Sequence, residues 1–298
     1  MIGFGRKKIS SLKLVRSKKN WKNLDYIIWI APIILVHLSC FLIASTQRNL
    51  GIAEWYQHAF VAYIGSLIVY FLAQVPLHSL RKYVVIIYLI TLLILLYVNF
   101  SGTSALGAQR WVSFAGLNIQ PSEFAKISLI LVLASILDQK RFAGLTNLIK
   151  PLLVSFLPWI LVFIQPDLGT SLVFGAILIG MLYWSGMPYE WAFIILATLV
   201  TGLFACLYQI GLAIWIPIIA YLSYKSLPNK KILTLLVIVF HSFIAKITPW
   251  FWENVLKDYQ RDRLILFLDP SQDPLGGGYH MLQSKIGIGS GGFLGSGL

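Results

Sequence analysis

Apolar runs long enough to cross a bilayer follow one another along this chain, from Tyr26 almost to Trp250. A hydrocarbon layer of about 30 Å takes roughly 17–25 helical residues to cross. Inside that layer every backbone amide must be satisfied within its own segment, so the runs read as helices. Composition agrees: 58% of the residues are hydrophobic and 12% charged, too few polar side chains to enclose a water-soluble core. The expected class is all-α, a polytopic transmembrane helix bundle.

The polar breaks place helices near 26–45, 58–75, 83–100, 121–137, 151–165, 168–186, 189–208, 211–224 and 232–249, about nine spans. Residues 151–165 are a short run. Residues 211–224 are a shorter one that contains Pro217, so either suits a tilted, re-entrant or longer helix. The chain divides into a basic segment at 1–25, a helical bundle at 26–250, and a Gly-rich external loop at 251–298, incomplete at its end.

Charge sets the expected orientation. Eight of the 24 Lys and Arg precede the first helix: Arg6, Lys7, Lys8, Lys13, Arg16, Lys18, Lys19 and Lys22. With the N-terminus cytoplasmic, Arg81 and Lys82, then Lys140, Arg141 and Lys150, then Lys225, Lys230 and Lys231 all fall inside, and the short opposite loops hold only Arg48 and Arg110. This is the pattern of an inner-membrane protein, with membrane lipids and not nucleic acid as the partner of its net charge of +13. The first apolar run lacks a small-residue cleavage site and stays as a helix. Cys40 and Cys206 lie within apolar spans and imply no disulfide. The five histidines show no ligand spacing, so no metal site is expected.

Polar residues collect on the external side. The loop from Ser101 to Gln120 holds Gly107-Ala108-Gln109-Arg110-Trp111, and Gln120-Pro121-Ser122-Glu123 opens the fourth helix. A second Gln-Pro pair, in Gln165-Pro166-Asp167-Leu168-Gly169-Thr170, opens the sixth. Pro at or near the first helical position loses nothing, because its missing N–H has no partner there. Both helix N-termini then face outward with unpaired N–H groups, suited to an anion such as pyrophosphate. Ser122 and Asp167 equally suit plain caps, and Arg110 with Trp111 a headgroup anchor. Glu123 and Lys126, three apart inside an apolar segment, suit either a structural ion pair or a functional one.

From Phe251 onward the chain turns polar. In Asp258-Tyr259-Gln260-Arg261-Asp262-Arg263 two arginines stand two apart and could grip separate phosphate oxygens, or form part of a surface charge run. Two Asp-Pro turns at Asp269-Pro270 and Asp273-Pro274 precede a glycine run, which indicates a shaped loop. Gly287-Ile288-Gly289-Ser290-Gly291-Gly292 matches a dinucleotide-binding string by coincidence, since no β-α-β unit can form here; such glycines allow close backbone approach instead.

These motifs, with Gln283-Ser284-Lys285, resemble in order those of the shape, elongation, division and sporulation family. The stretch Gln283 to Gly292 looks more like its RodA branch than its division paralogue FtsW. The resemblance implies a glycosyltransferase that polymerises lipid II, an undecaprenyl-pyrophosphate-linked disaccharide peptide, into peptidoglycan, beside a class B penicillin-binding protein. A base and phosphate-stabilising cations are needed together. Arg110, Lys126, Arg261, Arg263 and Lys285 are the candidate cations, and Glu123 and Asp167 the carboxylates beside them. A divalent ion could share that task. No cofactor is otherwise implied.

Two departures stand out. About 40 residues before Tyr259 form an extra helical hairpin relative to the family pattern. The chain also ends at Gly295-Ser296-Gly297-Leu298, where the family continues with further helices and, by the resemblance, with its catalytic acid. The 298 residues alone are therefore expected to be inactive, as a truncated relative or a fragment. A lipid-linked precursor translocase and a non-catalytic scaffold of the cell-wall machinery are the alternative readings.

Overall fold

The computed structural model describes residues 25–47, 54–75, 77–105, 108–114, 117–138, 144–292 and 295. The basic stretch before residue 25, Arg48, Gly107, Lys140 and Arg141 fall outside them. Nine long helices among the described residues stand where the apolar runs predict them: α1 (Tyr26–Gln47), α2 (Glu54–Leu72), then, after a single turn α3 (Leu77–Leu80), α4 (Val84–Ser101), α5 (Pro121–Leu137), α6 (Ile149–Ile164), α7 (Leu168–Trp184), α8 (Tyr189–Leu207), α9 (Leu212–Ser226) and α10 (Lys230–Asn254). Two further helices follow, α11 (Asp258–Leu268) and α12 (Tyr279–Gly291).

The short runs resolve differently. A 3₁₀ turn extends α6 backward, so residues Thr146–Ile164 form one 19-residue apolar helix. α9 keeps Pro217 inside its 15 residues and, at about 1.5 Å per residue, is too short to cross upright. By length and composition four helices among the described residues can cross a membrane, Tyr26–Gln47, Thr146–Ile164, Tyr189–Leu207 and Lys230–Asn254, with Val84–Phe100 and Leu168–Trp184 apolar but shorter.

The chain forms two compact units. In the first, α1 packs along α2, and the hydroxyl of Tyr63 meets Nε2 of His37 at 2.8 Å. That imidazole must donate from Nδ1 to the Ile33 carbonyl, at 2.7 Å, so in its neutral form Nε2 accepts from Tyr63.

The second unit, from Leu80 to Gly295, is built around Leu95, Leu129, Leu133, Val162, Phe174, Leu182 and Ile219, all fully buried. Lipid offers no hydrophobic drive between helices, so close packing has to hold them together. Gly175 shows how: a Cβ there would lie 2.8 Å from the Trp159 ring, so α7 meets α6 only because that position is bare. Large apolar side chains such as Phe100, Leu93 and Val85 remain exposed, a surface suited to lipid.

Three helices share a buried polar node. Thr201 on α8 accepts from Nε1 of Trp215 on α9 at 3.0 Å and meets Nδ1 of His241 on α10 at 2.7 Å. Its own hydroxyl proton reaches the Ala197 carbonyl at 2.9 Å, which leaves both lone pairs for Trp215 and His241.

Two sequence expectations give way. The loop between Ser101 and Gln120 is a small antiparallel sheet, β1 (Thr103–Ala105), β2 (Ala108–Phe114) and β3 (Leu117–Ile119), in that order. Its strands are rich in Thr, Trp, Val, Phe and Ile, which favour a pleated surface, and two residues join each pair. The stretch after Phe251 is mainly helical. Gly287 and Gly289 sit in α12 with open space where a Cβ would be, so they serve no close approach. The tight approach falls earlier: a Cβ on Gly278 would lie 2.2 Å from the Pro270 carbonyl oxygen.

Candidate functional site

The N-termini of α5 and α7 meet. Gln120 is the N-cap residue of α5, with Pro121 at the first helical position, and Asp167 is the N-cap of α7. The Gln120 amide caps nothing on its own helix but donates to Asp167 Oδ2 at 3.2 Å. Asp167 Oδ1 accepts from the Thr170 backbone at 3.2 Å, so its carboxylate spans both helix mouths. Pro166 stands before that cap, outside the helix, whereas Ser122 lies inside α5, buried, and caps nothing.

Arg110, on β2, closes the cluster. Its Nε lies 3.7 Å from Asp167 Oδ2 and 3.5 Å from the Gln165 carbonyl, and its Nη2 donates to the Pro166 carbonyl. The guanidinium thus bridges the carbonyl-rich C-terminal end of α6 and the carboxylate that caps α7, each of which favours a cation. The Tyr259 hydroxyl donates to the same Pro166 carbonyl at 2.6 Å and accepts from Arg110 Nη2 at 3.2 Å. Gln260 Nε2 reaches that carbonyl at 3.1 Å. Gln165, buried, donates to the Leu95 carbonyl at 3.1 Å and ties the turn to α4.

The remaining candidates make their contacts elsewhere on α5, α11 and α12. Lys126 Nζ pairs with Glu123 at 2.8 Å on α5; the lysine side chain is 23% exposed and the glutamate 54%, so the pair is only partly withdrawn. Arg261 and Arg263 lie on α11, where a separation of two turns their side chains to different faces. Arg261 pairs with Asp258, and the Arg263 guanidinium lies 5.9 Å from the centre of the Tyr259 ring. Lys285 is exposed on α12, close enough to act on Asp269.

Asp269 caps a 3₁₀ turn and has its carboxyl pulled below the ordinary range, chiefly by the Ser271 hydroxyl, then by Gln272 and the Ser271 backbone, with a smaller pull from Lys285. Asp273 accepts from the backbones of Gly276 at 3.0 Å and Gly277 at 2.7 Å, which shapes the glycine turn. Among the described residues no three His, Cys, Asp or Glu side chains gather as a metal site. Sequence reading quoted Gln120, Gln165, Tyr259 and Gln260 inside motifs but gave none of them a role. Their shared signal is their place in those motifs, not their chemistry.

The pattern of the FtsW, RodA and SpoVE proteins, described as "Cell cycle protein", matches residues 21–231 and 211–298. The chain belongs to that family. Its two matches break and overlap at 211–231, on α9 and the start of α10, where the extra hairpin was expected. A relative from Escherichia coli (strain K12), the peptidoglycan glycosyltransferase MrdB, is 30% identical over 265 residues, covering 89% of this chain and 59% of that protein. The peptidoglycan glycosyltransferase RodA of Treponema pallidum (strain Nichols) is 28% identical, over 92% of this chain and 70% of its own length. This chain therefore spans about three fifths of the Escherichia coli relative. Among solved structures, a mutant of the Thermus thermophilus rod shape-determining protein RodA superposes with a TM-score of 0.54 at 21% identity, covering 76% of this chain and 83% of that one. Another, from work on polymerization and crosslinking by a peptidoglycan synthase complex, gives 0.57 at 23%, over 92% and 67%. These likenesses establish the membrane-protein fold.

Proposed function

We propose that this protein is a peptidoglycan glycosyltransferase that links the disaccharides of lipid II, in the manner of RodA, as part of cell elongation. One observation carries the reading. Arg110, Asp167 and Tyr259, from three separate motifs of the family, are drawn together at the mouths of α5 and α7. Around that cluster we assign the leaving pyrophosphate to the cations Arg110, Lys126, Arg261, Arg263 and Lys285. Glu123 and Asp167 hold two of these cations in place. Preplaced cations favour the charge that develops as pyrophosphate departs. The glycan hydroxyl must lose a proton in the same step. We assign that role to none of the described carboxylates.

The N-terminus is assigned to the cytoplasm on the placement of Lys and Arg, which puts the cluster on the outer face of the inner membrane. A class B penicillin-binding protein, which cross-links strands, is the proposed partner, in keeping with the complex reported for the structural neighbour. Reconstitution with fluorescent lipid II tests the reading. Lengthening of the glycan supports it, whereas transfer of unchanged lipid II between leaflets identifies a translocase and inertness in both assays a scaffold.

A further inference from the structure

α10 runs 25 residues from Lys230 to Asn254. At about 1.5 Å per residue, a hydrocarbon layer of about 30 Å takes roughly 20 of them. Counted from Lys231, that layer ends near Trp250, Phe251 and Trp252, aromatic residues of the kind that sit at a membrane interface. Lys246 then lies about 7 Å inside the boundary. It is exposed, on the same open side of the helix as Val239, Phe243 and Trp250, and joins none of the ion pairs among the described residues. It also stands toward the end of the helix opposite the lysines that mark the other surface, Lys225, Lys230 and Lys231.

A charged lysine facing lipid is costly unless it reaches an anion. Side chains on a helix lean toward its N-terminus, so Lys246 leans toward the bilayer centre and must turn back to reach the near surface. Its four-carbon stem permits that turn, and lipid phosphates lie at the level it then reaches. Trp250, one turn further along the same face, places an amphipathic ring at that level.

We propose that Lys246 and Trp250 hold the phosphate of an anionic phospholipid in the leaflet opposite the Lys230–Lys231 end. A lipid is favoured over a partner helix because phosphate stands at this depth in any bilayer, whereas a helix would have to bring its own carboxylate there. The site does not depend on the glycosyltransferase reading.

The test uses the chain in bilayers containing brominated phosphatidylglycerol or brominated phosphatidylcholine. Quenching of Trp250 is read as the difference between the protein and its Trp250→Phe variant. Phosphatidylglycerol is expected to be preferred by about fivefold, the worth of one basic side chain at an anionic surface. Lys246→Met should bring that ratio to about one and Lys246→Arg should keep it. Equal quenching by the two lipids in the unsubstituted protein overturns the site, as does a preference unchanged in Lys246→Met. A Trp250 shielded from both lipids would assign the face to another protein and also overturn it.

Discussion

The Tyr259 hydroxyl donates to the carbonyl of Pro166 at 2.6 Å, across 93 residues of sequence, and with the Gln260 amide, which donates to the same oxygen, it holds α11 against the turn that opens α7. Tyr259→Phe removes the bond and also one of the two acceptors of Arg110 Nη2. The loss should be about 1 kcal/mol, the net worth of one such bond. It should appear as faster amide exchange in residues 257–268, with exchange in α8 unchanged. Identical exchange in the two proteins would mean that α11 is held by other contacts.

Glu123→Ala leaves Lys126 without its partner in a setting where the lysine is three-quarters covered. The expected cost of about 1–3 kcal/mol lies between those of exposed and buried pairs. Phe124→Leu, one position away on an exposed side chain, should cost far less. Thermal unfolding in detergent compares them. Equal midpoints would show that the ion pair contributes nothing to the fold.

Thr201→Val keeps the shape of the side chain but strands Trp215 Nε1 and His241 Nδ1 in the interior of α8, α9 and α10. Two stranded groups should cost about 2–4 kcal/mol. Thr198→Val, which loses only a bond to its own helix backbone at a half-buried position, is the control. A melting temperature lowered equally by both would remove the node from the account.

The Asp269 carboxyl has a folded value below its ordinary 3.8. A carboxylate shifted down adds stability above its unfolded value, and that stability is lost as pH falls through the folded one. The turn at Pro270–Gln272 should therefore persist as pH falls to about 4 and loosen below it. In Asp269→Asn the turn should lose that acid transition. Limited proteolysis across the range reads both.

Much of this was legible in sequence, for a physical reason. Spanning helices satisfy their own backbones, so hydropathy and polar breaks alone place α4 through α10 to within a few residues. The sheet at β1–β3 was missed because its strands of three to seven residues carry little signal. α11 and α12 were read as loop because glycine and charge argue locally against a helix, and neighbouring structure overrides that preference. Within the cluster, Arg110 and Asp167 stand out in the sequence by their charge. The hub joining Arg110, Tyr259 and Gln260 is a backbone carbonyl, that of Pro166, and a carbonyl has no letter in the sequence.

Polymerisation of lipid II tests the central claim most directly. The protein, in the longest reading frame containing these residues, would be reconstituted with a class B penicillin-binding protein and given fluorescent lipid II. Products would be sized on a gel for the unsubstituted protein and for Lys126→Met. The account predicts long glycan from the unsubstituted protein and at least tenfold less from Lys126→Met, whose lost charge should cost about 1.4 kcal/mol or more of transition-state stabilisation. Lipid II left at its original length by the unsubstituted protein, or glycan made undiminished by Lys126→Met, would contradict it.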